Sequence, residues 1–506
     1  MHSEREVDQA IPEPVFLSPT RAAMILGVTT LFGAALRLHL LGARSLWIDE
    51  AASVQFATLP WRSFLRTLWS YQGNMTLYYF LLRAWIHLGD SEFVVRSLSV
   101  LFGVLTIPAV YFLAARLFDR PTGLTSAVLL SVHSFHIHWS QETRAYTLLT
   151  LLLVLASYFL ITALESNRWR YWIAFSFTAA LCVYAHIFAV LVLAAHALCI
   201  AFPRPFRVAM RTVAATAILF EHLCAPMAVF VLLQSRTGNP SQIRWIPRPT
   251  LADIWEFLKL LTSQGGMLLV VVYLALCGLA WLRPGGDTRS DKMSWALRLL
   301  GLWLMLPPLL TLGATVIKPL FYPRYMVMCV PALVILGARG LVNLYHLPAV
   351  KYWAATAALV LVVTLSAWGT HQYFVNFPTE TSDWRAAVDY ILEHQQPGDG
   401  AVFYIANYYS YLYYTHRAES QHRVAIAPDI LYPPISGWRP VSRAELEGDI
   451  SGRKRVWLIL HIESMDPEKS AVIQSTLAER LQLQEKRLFP GEDLITVELF
   501  SQAAAH

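Results

Sequence analysis

The feature that most limits this chain is a succession of apolar runs, each close to twenty residues long, between residues 20 and 371. About 20 apolar residues cross a bilayer as a helix, because a helix satisfies its own backbone groups in hydrocarbon. Runs at 20–42, 94–116, 121–138, 144–164, 209–233, 265–282, 294–316, 325–345 and 352–371 each fit one crossing. The stretch 170–202 is too long for one and breaks at Tyr184-Ala185-His186, which gives two short crossings and an expected total of eleven. Composition agrees, since the chain is 56% hydrophobic and only 15% charged, with mean hydropathy +0.45. A soluble protein is nearer about 25% charged.

The apolar character stops near residue 371, and 372–506 has ordinary soluble composition. Helical patterns at 382–395 and 467–480 flank β-rich runs at 400–405, 454–461 and 493–500, an alternation that predicts an α/β sandwich. No glycine-rich phosphate fingerprint or nucleophile elbow occurs there, so no catalytic centre is expected in it. The chain therefore divides into a tail (1–19), a membrane domain (20–371) and a soluble domain (372–506). The tail is acidic and proline-containing, unlike the basic start of a cleaved signal peptide, so the first apolar run should stay as an anchor. All five cysteines fall in apolar segments without a CxxC pattern, which suggests neither a disulfide framework nor a zinc site. The net charge of +6 fits basic cytoplasmic loops, and nothing calls for nucleic acid.

Residues 75–88 are apolar but short, with Arg83 and His87 inside. If they lie in the interface, the basic loops 116–120, 165–170, 203–211 and 283–292 share the side of the N-terminus, which makes that side the cytoplasm. Segments 43–93, 138–143, 184–186, 234–264 and 317–324 then face outward. The soluble domain joins them, because an odd number of crossings separates the two termini. Within 51–70, aromatic and aliphatic residues among Arg62 and Arg66 predict an amphipathic surface helix broken near Pro60.

The outward segments carry the candidate chemistry. Asp49 and Glu50 lie just past the first apolar run, where carboxylates are costly unless solvated, paired or used. Two readings stand: a cap for a juxtamembrane helix, or a general base that removes a proton from an acceptor hydroxyl. In Gln141-Glu142-Thr143-Arg144-Ala145-Tyr146, Glu142 and Arg144 could pair with each other or with headgroups. Alternatively Arg144 binds an anionic phosphate and Glu142 helps to hold a divalent metal ion. Lys318 and Arg324, in Lys318-Pro319-Leu320-Phe321-Tyr322-Pro323-Arg324-Tyr325, run against the charge bias of outer loops and suit a lipid-linked phosphate, with snorkelling to headgroups as the plainer reading. Arg236, Arg244, Arg248 and Trp245 are compatible with sugar stacking or with an interface anchor. His186 could contact substrate or close a helix end. His133, His136 and His138 are not spaced to share one helical face, and Asn74-Met75-Thr76 matches a glycosylation sequon.

In order and on one side, these pieces resemble the polytopic GT-C glycosyltransferases, specifically bacterial relatives of the dolichyl-phosphate-mannose protein mannosyltransferases (glycosyltransferase family 39). The resemblance takes in Asp49-Glu50, Asn74-Met75-Thr76-Leu77-Tyr78-Tyr79, Leu88-Gly89-Asp90-Ser91-Glu92 and Arg96. It continues through Gln141–Tyr146, the Tyr184-Ala185-His186 break, Arg324-Tyr325 with Pro331, and Asp383-Trp384-Arg385. It implies a GT-C membrane fold with a C-terminal α/β domain, a polyprenyl-phosphate sugar donor, and a glycan, lipid or protein acceptor. Transfer would occur on the extracytoplasmic face of a bacterial inner membrane, with inversion. Asp49 would be the base and Glu50 its support or an acceptor contact. Lys318, Arg324 and Arg144 would neutralise the departing lipid phosphate, with Glu142, Tyr146, His186, Tyr322 and Tyr325 also against substrate. Two departures stand out. Asn74-Met75-Thr76-Leu77 replaces a Pro-Pro-Leu or Lys-Pro motif of many relatives, and the Trp-Trp-Asp-Tyr-Gly motif of oligosaccharyltransferases is absent. The rival class is a transporter or lipid flippase, which should place ionisable residues at mid-membrane, whereas here they collect at outer helix ends.

Overall fold

The computed structural model describes residues 18–70, 73–236, 246–282, 290–347, 352–377, 382–404, 408–432, 442–461, 467–491 and 494–502. Arg244, Trp245 and the acidic tail up to residue 17 lie outside them, as does the side chain of Arg236. The chain begins with α1 (Pro19–Leu38), with Pro19 at its first position and Ser18 Oγ accepting from the Arg21 amide at 3.2 Å. Three helices follow in the first loop: α2 (Ile48–Thr58), which is mostly buried, α3 (Trp61–Ser70) and α4 (Thr76–Trp85). The break at Pro60 falls as expected, and ten-residue α4 is too short to cross. On α3, Trp61, Leu65 and Trp69 recur every fourth residue and are exposed, while Phe64 and Leu68 are buried. This stripe faces away from the protein and suits the membrane interface.

The body continues through α5 (Glu92–Leu117), α6 (Arg120–Ser131), α7 (Ser134–Ser140), α8 (Tyr146–Ser166), α9 (Trp169–Ala185), α10 (Ala189–Ala201) and α11 (Met210–Arg236). Then come α12 (Leu251–Leu261), α13 (Gly266–Leu279), α14 (Ser290–Ala314), a 3-10 turn (Pro323–Cys329) running into α15 (Val330–Tyr345), and α16 (Tyr352–Asn376). Seven helices among the described residues are long and apolar enough to cross a membrane, or eight if the pair α12–α13, bent by 72°, is one span. The expected eleven is therefore not reached. The run 121–138 is not one rod but α6 and α7 with a break between them, and α9 and α10 have only 17 and 13 residues. At the α6–α7 break the buried Arg37 guanidinium of α1 donates to the Leu130 and Ser131 carbonyls, both at 3.1 Å. A cation buried in an apolar body is held there by such oxygen partners. Helices α8 and α15 are central, whereas α1, α11 and α16 expose most of their surface, as lipid-facing helices do.

The C-terminal part is a five-stranded mixed sheet of order β2-β1-β3-β5-β4, with β1 (Gly400–Phe403), β2 (Asp429–Tyr432), β3 (Arg455–His461), β4 (Gln482–Phe489) and β5 (Ile495–Ser501). β2, β1 and β3 are parallel, while β5 and β4 add antiparallel. Alternate residues serve opposite faces. Val402, Val456, Leu458 and Leu460 pack with α19 (Arg443–Asp449) and α20 (Pro467–Ala478). Phe403, Trp457 and Ile459 join the main core, with α17 (Trp384–His394) and α18 (Tyr408–Ser420). Strand β4 (QLQEKRLF) is exposed almost throughout, so no apolar run marks it; its charges suit an edge strand.

Candidate active site

The turn between α1 and α2 is held by Arg96, one turn into α5. Its guanidinium donates to the carbonyls of Leu41, Arg44 and Ser45 at 2.9, 3.0 and 2.9 Å, and grips Glu50 with Nε–Oε1 2.9 Å and Nη2–Oε2 2.7 Å. Glu50 also accepts from the Thr143 amide at 2.8 Å and is fully buried. Burial alone would raise its pKa, but the charge and hydrogen bonds of Arg96 overcome it and hold the carboxyl below the usual glutamate value. Glu50 is therefore not free to touch an acceptor, which corrects that part of the expectation. It ties α2 to α5 and to the loop bearing Arg144.

Glu142 is likewise spent. Its two oxygens meet Arg44 and the Trp47 indole N–H, and it is buried. Burial and then the charge of Glu50 push its pKa up, against the pull of Arg44. Both oxygens are engaged, so Glu142 pairs with Arg44 and Trp47 rather than with Arg144. Among the described residues, no group of three His, Cys, Asp or Glu side chains converges as a metal site.

Asp49, the second residue of α2, faces the other way and is 39% exposed. The N-cap is Trp47, and no side chain caps the helix, so the capping expectation fails, although Asp49 still stands in the first turn. Its carboxylate lies 3.4 Å from Arg324 and 3.6 Å from Arg144. Arg144 also donates to the Asp49 carbonyl at 3.3 Å and to Ser53 Oγ at 3.2 Å. Arg324 donates to the Tyr322 hydroxyl at 3.0 Å and lies against the rings of Tyr322, Trp47 and Trp139 at 4.5, 5.0 and 5.9 Å. Such rings stabilise a guanidinium and fix its plane.

Beside these charges the rings of Tyr146, His186 and Tyr325 form a cluster, with Tyr325 centred 5.2 Å from His186 and 6.3 Å from Tyr146. Burial, and then the Arg144 charge, lower the His186 imidazole to about 3, so it is neutral at ordinary pH. Asn74 lies 3.3 Å from His186 and accepts from the Ile187 amide at 2.9 Å, which makes the sequon asparagine a tie between the first loop and the α9–α10 break. His133, His136 and His138 disperse, to the Leu261 carbonyl, to Arg37 and to the Trp139 and Tyr373 rings.

The structure thus joins Asp49, Arg144, Tyr146, His186, Tyr322, Arg324 and Tyr325. Lys318 stands exposed just beyond α14 and forms no ion pair among the described residues. The sequence reading assigned no role to Arg44, Trp47, Arg96 or Trp139. Of these Arg96 carried a signal, a cation near the start of an apolar run.

Among proteins of known sequence and structure, the family model of dolichyl-phosphate-mannose-protein mannosyltransferases matches residues 76–230. No curated protein matches the sequence. The chain shares its fold with ArnT from Cupriavidus metallidurans in the apo state, at 13% identity and TM-score 0.59, over 94% of this chain and 97% of that one. The same protein bound to undecaprenyl phosphate gives 12% identity and TM-score 0.57, over 95% and 98%. The oligosaccharyltransferase AglB from Archaeoglobus fulgidus, in complex with an inhibitory peptide and a dolichol-phosphate, gives 11% and 0.52, over 92% and 73%. The chain therefore has the GT-C fold of these solved structures, and the mannosyltransferase family model resembles its residues 76–230.

Proposed function

We propose that the protein transfers a sugar from a polyprenyl-phosphate-linked donor to an acceptor hydroxyl, with Asp49 as general base. The observation that carries this reading is one half-exposed carboxylate with two guanidiniums within 3.6 Å, among aromatic rings at the ends of apolar helices. Undecaprenyl phosphate bound to ArnT and dolichol-phosphate bound to AglB support the choice of donor.

The acceptor oxygen attacks the anomeric carbon as its bond to the phosphate oxygen breaks, and the acceptor proton passes to Asp49. The lipid leaves as a phosphate monoester carrying one more negative charge than the diester it came from. Arg144 and Arg324 take up that charge, an effect largest in the transition state. In the resting site both cations lean on Asp49. An entering phosphate draws them away and leaves the carboxylate free to accept a proton. Attack opposite the leaving group inverts the anomeric centre. Glu50, held by Arg96, positions Asp49, and the rings of Tyr146, Tyr322 and Tyr325 offer faces for a sugar.

We further place the site and the C-terminal domain on the extracytoplasmic face of a bacterial inner membrane, on the strength of the basic loops assigned to the opposite side. The deciding experiment is transfer in membranes from synthetic polyprenyl-phosphate sugars, with and without Asp49→Asn. Equal activity of the two would overturn the assignment of the base.

A further inference from the structure

A second charged recess, of about 270 Å³, lies where the first loop meets the C-terminal domain. It is lined by Arg385 of α17, Arg417 of α18 and Arg423 just after α18, with Glu92, Asp389 and Gln421. Arg385 and Arg417 hold Glu92 at 2.8 and 2.5 Å, and Arg423 holds Asp389 at 2.9 Å. Three guanidiniums and two carboxylates line the recess, and the exposed Asp90 carboxylate stands 3.9 Å from Arg417.

The guanidiniums also keep unused donors. Arg417 Nε is buried without a hydrogen-bond partner and has only the exposed Asp90 carboxylate near, at 3.9 Å. Arg417 Nη2, and Nε and Nη2 of Arg423, make no hydrogen bond among the described residues. Convergent, half-satisfied guanidiniums match the tetrahedral oxygens of a phosphate group. The depth suits a membrane ligand, because Gly42 follows the end of α1 by four residues and Glu92 opens α5. Basic recesses at such helix ends take anionic headgroups.

We infer that this recess binds a phosphate group, borne by an anionic lipid headgroup or by a soluble phosphate, at a place separate from Asp49. The inference stands whether or not the chain transfers a sugar. Arg385 connects the two places, since it donates to the Gly42 carbonyl at 3.2 Å and to the Arg44 carbonyl at 3.4 Å, the oxygen that Arg96 also holds. An occupant that draws Arg385 from Glu92 therefore acts on the turn leading to Asp49.

The test uses the full chain in detergent in an Arg144→Gln, Arg324→Gln background, which removes both guanidiniums that would hold a phosphate at Asp49. Melting is followed against inorganic phosphate at constant ionic strength, and separately against short-chain phosphatidylglycerol with phosphatidylcholine as control. Phosphate or phosphatidylglycerol should raise Tm, and adding Arg423→Gln should weaken the apparent affinity about tenfold or more, the equivalent of one charge-assisted hydrogen bond. Adding Asp389→Asn instead should tighten it, because a repelling carboxylate is removed. Arg423 and Asp389 are surface partners, so opposite shifts cannot both come from lost folding. A rise with phosphatidylglycerol alone assigns the recess to a headgroup, and a rise with inorganic phosphate alone assigns it to a soluble ligand. No rise with either, or a rise untouched by both substitutions, overturns the proposal.

Discussion

At Asp49 two guanidiniums stand within 3.6 Å and part of the carboxylate meets solvent, while at Glu50, one residue on, every carboxylate contact is protein. Asp49→Asn should therefore lower sugar transfer by about 10²–10⁴-fold, the usual worth of a general base, and leave melting nearly unchanged. Arg324→Gln should cut turnover by about 10²–10³-fold, as loss of a group that stabilises transition-state charge does, in the same membrane assay. Glu50→Ala, unlike Asp49→Asn, should act mainly on stability. It strands the buried Arg96 charge and should cost about 3–5 kcal/mol in denaturant unfolding. The pH dependence follows from the sign of the Glu50 shift. Its folded pKa lies below the usual 4.5, so the Arg96 pair stabilises the protein fully above that value and the gain is lost as pH falls through the folded value. Melting followed from pH 7 downward should fall below about pH 4.5, and less steeply in Glu50→Gln. The sequence made the pair conspicuous but could not divide its labour. Both residues stand in the first turn of α2, and only the inward position of Arg96 decides which is sequestered.

Among the elements, the helices that the sequence marked most clearly are the uninterrupted ones, such as α5, α8 and α11. Where a run of apolar residues is broken, hydropathy alone cannot see it. At the α6–α7 break Arg37, ninety-three residues before Leu130, donates to the Leu130 and Ser131 carbonyls. Close approach is equally invisible in a hydropathy pattern. A Cβ on Gly340 of α15 would lie 2.0 Å from the Leu276 carbonyl of α13, a backbone atom that cannot swing aside. Gly340→Ala should force α13 and α15 apart and lower stability by about 1–3 kcal/mol, read by thermal melting in detergent, whereas the exposed Gly313→Ala should be silent.

Across the whole molecule, the C-terminal domain is joined to the first loop rather than tethered beyond it. Tyr414 accepts from the Leu46 amide at 2.8 Å, Asp383 accepts from Ser45 at 3.0 Å, Tyr413 donates to the Asp90 carbonyl at 2.6 Å, and Arg385 and Arg417 share Glu92. Domain and Asp49 thus stand at the same end of the helices. A topology reporter fused after Gln502 should read extracytoplasmic, and a cytoplasmic signal there would reverse the proposed orientation of both. By itself the sequence determined the apolar helical body, the amphipathic α3 of the first loop, the α/β character of the C-terminal end and the basic and acidic candidates, because hydropathy, period and charge are local properties. Tertiary structure decided that Glu50 and Glu142 are buried ties, that Lys318 stands apart, and that Asp49 meets Arg144 and Arg324. Each of those outcomes depends on which distant side chain fills the space beside a charge, and a charge removed from water goes where its partner is.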